Sequence, residues 1–148
     1  MKLMLAAVTA AALGAMALPA LAQEGPPPYD LGPVWTTTAI STKDGRTDEY
    51  VRWLATGWKT QEEALKRAGV ILDYKVFFVD SPRAGEPDII LAQEWRNMAA
   101  FDASPAQIYA MQSKLGGPPP AQANKEEADR GALRTVMGST TMREIELK

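Results

Sequence analysis

The four residues from Glu94 to Asn97 bring together the types of side chain that binding and catalysis use. They follow a short apolar run within the segment DIILAQEWRNMAAFD at residues 88–102. A carboxylate can accept a proton, a guanidinium can stabilise a developing negative charge, and Trp and Asn can hold a ligand. Because the apolar run is typical of a β-strand, the pattern predicts a central strand whose end faces a pocket.

Two carboxylates are candidates for a catalytic base. Glu94 stands at the end of this strand and Asp73 in the strand before it, and burial would raise the pKa of either carboxyl. Arg96 or Arg143 would then stabilise an enolate or phenolate oxygen. A cofactor-independent oxygenase or isomerase would need an arrangement of this kind.

Five residues are candidates for holding a ligand, whether or not a reaction follows. They are aromatic, amide or cationic and lie on the predicted strands and first helix: Trp95, Asn97, Trp53, Tyr74 and Arg143. Aromatic side chains at helical or strand spacing also pack into ordinary cores, so the aromatic members of this set have a second, structural interpretation.

Strand alternation argues against one pocket that contains the whole cluster. Trp95 and Asn97 point to one side of the strand, and Glu94 and Arg96 to the other. In a purely structural interpretation Glu94 and Arg96 form an ion pair, Trp95 joins the core, and Asn97 caps the following helix. Both interpretations stay open at the level of the sequence.

The chain contains neither His nor Cys. Their absence removes the usual ligands of zinc, copper and haem, together with the Ser–His and Cys–His nucleophile pairs. We therefore expect no metal and no resident cofactor. Any catalysis would depend on a carboxylate, Lys, Tyr or a cofactor from outside.

Residues 1–22 have the features of an export signal, with Lys2 as the charged start, an apolar core at residues 3–18 and a small-residue cleavage site that ends at Ala22. A core of roughly sixteen residues is shorter than the ~20 that span a bilayer. We therefore predict cleavage, export to the periplasm or the extracellular space, and no membrane attachment afterwards.

The remaining chain is predicted to comprise a Pro/Gly-rich leader at residues 23–33 and a single domain at residues 34–148. The full chain has 16 basic and 18 acidic side chains, so loss of Lys2 leaves 15 against 18 and a net charge of about −3. Both signs are scattered along the chain, which does not favour nucleic acid as a partner.

The hydrophobic periodicity predicts the order strand, helix, strand, strand, helical region, strand. The strands are predicted at residues 34–43, 70–80, 88–95 and 136–147, the first helix at residues 48–68 with Thr47 as its cap, and a broken helical region at residues 98–135. This is an α+β, ferredoxin-like βαββαβ plan, with a four-stranded antiparallel sheet and helices on one face.

One face of this sheet needs a cover. In the strand at residues 70–80, one set of alternating residues is apolar, whereas the other carries Asp73 and Lys75 between Ile71, Phe77 and Val79. Such a face would be an unusually apolar surface for a monomer, so we predict a homodimer that forms through the sheet.

The predicted plan resembles the dimeric α+β barrel superfamily, in which two such sheets pack face to face. The export signal, the NMAAFD segment at residues 97–102 and the ending ADRGALRTVMGSTTMREIELK at residues 128–148 look like a group of small uncharacterised proteins exported by Gram-negative bacteria. The resemblance implies that cofactor-free quinone-forming monooxygenases and haem-degrading oxygenases are distant relatives. The haem enzymes depend on a His that this chain lacks.

Three functions are compatible with the sequence. The first is a periplasmic dimer that binds a small apolar or aromatic molecule between sheet and helices. The second is a cofactor-independent monooxygenase or isomerase, and the third is a module that binds another protein through the sheet face or the leader. A partly apolar cavity beside Trp95 with a buried carboxylate facing it would favour the first two.

Overall fold

The computed structural model describes residues 25–80 and 82–148, so the predicted export signal lies outside the described residues. The strands are β1 (Tyr29–Thr42), β2 (Asp73–Phe78), β3 (Ile89–Trp95) and β4 (Arg134–Leu147). The helices are α1 (Thr47–Trp53), α2 (Lys59–Arg67), α3 (Pro105–Lys114) and α4 (Pro120–Arg130). A π-helical turn (Leu54–Trp58) joins α1 to α2, and a 3₁₀ turn (Met98–Phe101) follows β3.

The four strands form one antiparallel sheet in the order β2-β3-β1-β4. At its centre Thr36 of β1 lies opposite Gln93 of β3 on one side and Thr141 of β4 on the other. Tyr74 of β2 pairs with the same Gln93 from the far side of β3. The predicted α+β, ferredoxin-like plan with a four-stranded antiparallel sheet is therefore confirmed.

The first helix is continuous but contains one wide turn. Tyr50, Leu54, Trp58 and Glu62 follow one another at intervals of four residues, and all four are buried. In a regular α-helix with 3.6 residues per turn, positions four apart drift around the axis. A π-helical turn takes up extra chain and so keeps these four side chains on the face that meets the sheet.

The core lies between this helix and the middle of the sheet. Ile40 of β1 and Ile89 of β3 pack against Tyr50, Leu54 and Trp58. Each of these side chains is at most 8% exposed, and burial of an aliphatic or aromatic side chain contributes about 1.5–3 kcal/mol. With no Cys in the chain, this packing is the main source of stability.

The structure starts β1 at Tyr29, five residues before the predicted strand and inside the segment predicted as leader. The reason is the length of β4, whose end supplies a partner: Tyr29 pairs with Leu147 and Leu31 with Ile145. The register then shifts before Val34. A sequence with Pro and Gly at these positions gives little indication of a strand, because the pairing is made with residues more than a hundred positions away.

The predicted cap of the first helix is wrong. Arg46 occupies the N-cap position and makes no side-chain capping bond. Thr47, which we expected to cap the helix, is its first residue, and its hydroxyl lies 2.8 Å from the hydroxyl of Thr42. The hydroxyl is therefore used to tie the helix to the end of β1.

The face of the sheet opposite the helices is partly apolar and partly charged. Lys75 Nζ lies 5.3 Å from the centroid of the Trp35 ring, and Trp35 Nε1 donates to Glu144 at 3.0 Å. Phe77 and Met142, at 47% and 46% exposed, extend the same face by strand alternation. We call the surface formed by these residues the open face.

No helix within the described part of the chain combines the length and apolar character that crossing a membrane requires.

Candidate functional site

A cleft of about 1470 Å³ lies between the first helix, the end of β3 and the second helical region. Its walls are the π-helical turn with α2, the 3₁₀ turn, the inner sides of α3 and α4, and four residues at the end of β3 and just after it, Gln93, Trp95, Arg96 and Asn97. We call it the Trp95 cleft. It lies where the sequence predicted a pocket, at the end of the central strand.

The end of β3 supplies an aromatic wall. The Trp95 ring packs on Phe101 of the 3₁₀ turn, with ring centroids 5.0 Å apart. Trp95 Nε1 donates to Thr36 Oγ1 at 2.9 Å, so the polar end of the indole is directed into the sheet. The wall that Trp95 presents to the cleft is therefore largely apolar.

Asn97 has a structural role beside this wall. Its side-chain oxygen accepts a hydrogen bond from the backbone N–H of Ala99 at 3.0 Å and so caps the 3₁₀ turn. This is the structural interpretation that the sequence left open for Asn97. The residue also lines the cleft, and its amide nitrogen can act as a hydrogen-bond donor there.

A buried carboxylate faces the same cleft. Glu62 on α2 is only 3% exposed and lines the cleft beside Gln93. Gln93 Nε2 donates to its two oxygens at 3.0 and 2.9 Å. Burial raises the pKa of Glu62, and the hydrogen bond from Gln93 opposes this shift without cancelling it. The raised pKa makes this carboxylate a stronger base than an exposed Glu.

Glu62 and Trp95 are joined by a directional chain of hydrogen bonds. Because an indole N–H can only donate, Trp95 fixes Thr36 Oγ1 as an acceptor at that contact. The Thr36 hydroxyl then donates to Gln93 Oε1 over a long 3.5 Å, which directs the amide N–H₂ of Gln93 toward Glu62. Glu62 and Trp95, at the two ends of the cleft's inner wall, are thus held by one hydrogen-bond network.

The π-helical turn shapes the wall next to Glu62. Gly57 within it lines the cleft, and a Cβ at this position would lie 2.8 Å from Trp53 Nε1. Trp53 has little room to move, because it stacks on Tyr50 with ring centroids 5.6 Å apart. Gly57 therefore permits the close approach of the helix and Trp53, and π-helical turns are frequent at functional sites.

The opposite wall comes from α3, whose start is fixed by Ser104. The Ser104 side chain accepts from the Gln107 backbone and the Gln107 side chain accepts from the Ser104 backbone, which forms a capping box. Apolar residues at helical spacing then face the cleft: Ile108, Met111 and Leu115. In a core helix, side chains at such positions would pack on a neighbouring element. Here they line the open space of the cleft.

Charged contacts attach α4 to the body. Glu127 accepts hydrogen bonds from Arg134 at 2.8 and 3.0 Å and from Arg130 at 2.8 Å. The Arg130 guanidinium also lies 4.6 Å from the centroid of the Trp53 ring. The wall formed by α4 is therefore held at its C-terminal end, next to the strand that follows it.

The two predicted catalytic carboxylates lie on the open face. Glu94 and Asp73 sit opposite each other on β3 and β2 and do not line the Trp95 cleft. Asp73 accepts a hydrogen bond from Lys66 at 2.8 Å, and this bond holds the pKa of its carboxyl below the usual range. Asp73 therefore lacks the raised pKa that a base near neutral pH needs.

Among the predicted ligand-binding residues, Trp95 and Asn97 line the cleft, whereas Trp53, Tyr74 and Arg143 lie outside its lining. Tyr74 packs on Trp58 and donates to Glu63 at 2.6 Å, a bond that raises the pKa of Tyr74 to about 12. Arg143 lies opposite Val34 across the β1–β4 pairing. Arg96, expected on the far side of the strand from Trp95, lines the cleft because β3 ends at Trp95.

Sequence reasoning missed Glu62 and Gln93. A signal for Glu62 was present, because it falls four residues after Trp58 and three before Leu65 on the predicted apolar stripe. A charged residue within such a stripe is a candidate for a buried functional group. Gln93 carried no comparable signal, since its role depends on the pairing of β3 with β1.

A second, smaller pocket of about 300 Å³ lies between the start of α1 and the end of α4. Its charged residues are already paired, since Arg46 binds Glu49 at 2.7 Å and Arg130 binds Glu127. It is less suited than the Trp95 cleft to take an apolar ligand.

Comparison with solved structures agrees with the fold. Protein SO0527 from Shewanella oneidensis is 15% identical, with 80% of this chain and 98% of that chain covered and a TM-score of 0.51. HapK from Hahella chejuensis is 10% identical, with 75% and 91% covered and a TM-score of 0.48. A dimeric ferredoxin-like protein from an uncultured marine organism is 16% identical, with 78% and 95% covered and a TM-score of 0.35.

Identities this low show the fold alone, and the chain has a ferredoxin-like α+β fold. No protein-family model and no curated protein matches the sequence. The Trp95 cleft and the open face are therefore the features that bear on function.

Proposed function

We propose that this chain is an exported, dimeric ferredoxin-like protein that binds a small apolar or aromatic molecule in the Trp95 cleft. The observation that carries the proposal is a cleft that combines an aromatic and aliphatic lining with one buried carboxylate, Glu62. Sites for small molecules typically have this composition, a mostly apolar wall with a few polar groups that fix orientation.

The size of the cleft supports a ligand larger than a single ring. At about 1470 Å³ it exceeds the ~300–1,000 Å³ of ordinary ligand pockets. Ile108 and Met111 on α3 and Leu115 at its C-cap line this space. A ligand that covered them would bury apolar surface at roughly 25 cal/mol per Å².

A cofactor-independent oxygenase or isomerase is the second candidate, and Glu62 is the observation that favours it. The raised pKa of this buried carboxyl suits proton abstraction from a weakly acidic ligand. Gln93 orients the carboxylate, and Arg96 at the end of β3 stands where it can stabilise an oxyanion. Glu62 thus replaces Glu94 and Asp73 as the proposed base.

Export and dimerisation complete the proposal. Export rests on the charged start, apolar core and small-residue cleavage site of residues 1–22. Dimerisation rests on the open face, where exposed Phe77 and Met142 surround the Lys75–Trp35–Glu144 cluster. A face with apolar and oppositely charged groups can be self-complementary around a two-fold axis.

Thermal unfolding with an aromatic probe tests binding in the cleft. β-Naphthol at a hundredfold excess over its Kd should raise the unfolding free energy by about 2.7 kcal/mol by mass action. Ala123→Trp places a large side chain in the cleft from α4 and should abolish the shift.

Ala121→Trp is the matched control, because Ala121 is exposed on the same helix and does not line the cleft. This variant should keep the shift of the unmodified chain. An equal response of both variants to the probe would place the binding elsewhere and contradict the proposal.

A further inference from the structure

Glu62 has acceptor capacity that the protein does not fill. A carboxylate offers about four lone-pair sites on its two oxygens. Within the described residues its hydrogen bonds come from one group, the amide nitrogen of Gln93, at 3.0 and 2.9 Å. No Lys or Arg in the described part of the chain forms a salt bridge with it.

The polar groups around Glu62 have already used their donors. Trp95 Nε1 donates to Thr36, and the Tyr74 hydroxyl donates to Glu63, the neighbour of Glu62 on α2. Gln93 directs its amide nitrogen at Glu62 itself. Glu62 therefore offers an acceptor to the Trp95 cleft, and a ligand group that bonds to it must bring the donor.

The formal charge of the lining bears on whether that donor group is neutral or charged. Three guanidinium groups, Arg67, Arg96 and Arg130, line the cleft against two carboxylates, Glu62 and Glu126, and Arg130 is already paired with Glu127 outside the lining, so the remaining charges balance. With no excess of negative charge, the lining as a whole does not attract a cationic amine. An anionic ligand would meet the buried charge of Glu62 at the inner wall, where like charges repel strongly.

We infer that the ligand of the Trp95 cleft is an apolar or aromatic molecule with a neutral hydrogen-bond donor, a hydroxyl or N–H group, that bonds to Glu62. The inference rests on the proposed function and adds the class of ligand to it. The aromatic wall of Trp95 and Phe101 holds the body of the ligand, and the Glu62 carboxylate selects the donor.

A matched pair of probes tests the inference. β-Naphthol and its methyl ether share one ring system, and only the first has a donor. Binding measured by isothermal titration calorimetry at neutral pH should favour the naphthol by roughly tenfold to a hundredfold, the range for a hydrogen bond to a charged group. The corresponding naphthoate and naphthylmethylammonium, at the same pH, should bind more weakly than the naphthol.

Variants at position 62 locate the preference. Glu62→Met removes the acceptor at similar volume and should bring the two affinities within about twofold of each other, and Glu62→Gln, a neutral acceptor, should leave an intermediate preference. Glu63→Gln removes the same charge from the adjacent residue, which does not line the cleft, and should keep the full preference.

Three results would overturn the inference while leaving binding in the cleft intact. They are equal affinities for the naphthol and its ether, a preference that survives in Glu62→Met, and tightest binding of the naphthoate or the ammonium probe. Failure of all four probes to bind would overturn the proposed function and the inference with it.

Discussion

Glu62 is a charged side chain in a position that packing usually gives to an apolar one. It lies between Trp58 and Leu65 on the inner stripe of the first helix, and only 3% of it is exposed. Burying a carboxylate costs free energy unless it is paired or neutralised, and among residues 25–80 and 82–148 the group that hydrogen-bonds to it is the neutral amide of Gln93. A buried carboxylate that lowers stability in this way is a candidate for a functional group.

The raised pKa of Glu62 makes stability depend on pH. Between the ordinary pKa of an unfolded Glu and the raised pKa in the fold, the unfolded chain has released the proton and the folded chain has not, so stability falls as pH rises. Glu62→Gln removes this loss. We expect the variant to match the unmodified chain below the ordinary pKa of Glu and to exceed it in stability above the raised pKa of Glu62, by about 1.4 kcal/mol for each pKa unit between the two.

Urea denaturation at several pH values measures this difference. Gln93→Leu is the companion variant, because loss of the hydrogen bonds from Gln93 to Glu62 should raise the pKa of Glu62 further and deepen the fall in stability with pH. A difference between Glu62→Gln and the unmodified chain that stays constant with pH would show that Glu62 titrates normally.

The sequence predicted the place of the site better than its chemistry. Trp95 and Asn97 line the cleft because they end the central strand, which local alternation could indicate. Glu94 and Asp73 were predicted as catalytic bases because they stand next to apolar strand residues. The pairing of β2 with β3 instead puts both on the open face. Which face a strand residue occupies depends on distant partners that spacing alone does not specify.

At the scale of elements, the π-helical turn (Leu54–Trp58) determines how the first helix meets the cleft. It keeps Tyr50, Trp58 and Glu62 on one face and brings Gly57 against Trp53. The helix itself was predicted from its apolar stripe, at residues 48–68. The wide turn was not predicted, because a helix with one extra residue in a turn has almost the same local hydrophobic periodicity as a regular α-helix.

Gly57→Ala tests this close approach. In an exposed helix the change from Gly to Ala stabilises by about 1 kcal/mol. Here the new Cβ would lie 2.8 Å from Trp53 Nε1, and Trp53 is held by Tyr50 and Arg130, so we expect a net loss of about 1 kcal/mol in chemical denaturation.

A double-mutant cycle with Trp53→Leu supplies the control, because it removes the ring that the new Cβ would meet. In that background Gly57→Ala should be neutral or stabilising. An equal loss of unfolding free energy from Gly57→Ala in both backgrounds would show that the Trp53 ring does not oppose the new Cβ.

At the scale of the whole molecule, the two faces of the sheet differ in what lies on them. The helices and the Trp95 cleft occupy one face, and the open face carries exposed Phe77 and Met142 beside the charged groups around Trp35. The order of elements and the antiparallel sheet followed from the sequence, because alternation and turn signals are local. The start of β1 at Tyr29 did not, because it depends on the far end of β4.

The proposed dimer predicts a difference between two neighbouring residues. Phe77 lies on the open face and Phe78 on the helix face, and both are exposed, at 47% and 59%. Phe77→Arg should shift the chain toward monomer in sedimentation equilibrium, because it places a desolvated charge in the interface, whereas Phe78→Arg should leave the dimer. A monomeric unmodified chain, or equal effects of the two changes, would rule out this interface.

The binding of a ligand in the Trp95 cleft is tested most directly by the indole N–H resonances of the chain's four Trp residues in a ¹H–¹⁵N titration with β-naphthol. Trp95 lines the cleft and Trp35 lies on the open face, so the two resonances report on separate surfaces. The proposal predicts that the Trp95 resonance shifts with saturation while that of Trp35 stays in place. A saturating shift of Trp35 with Trp95 unchanged, or no shift of any indole, would contradict it.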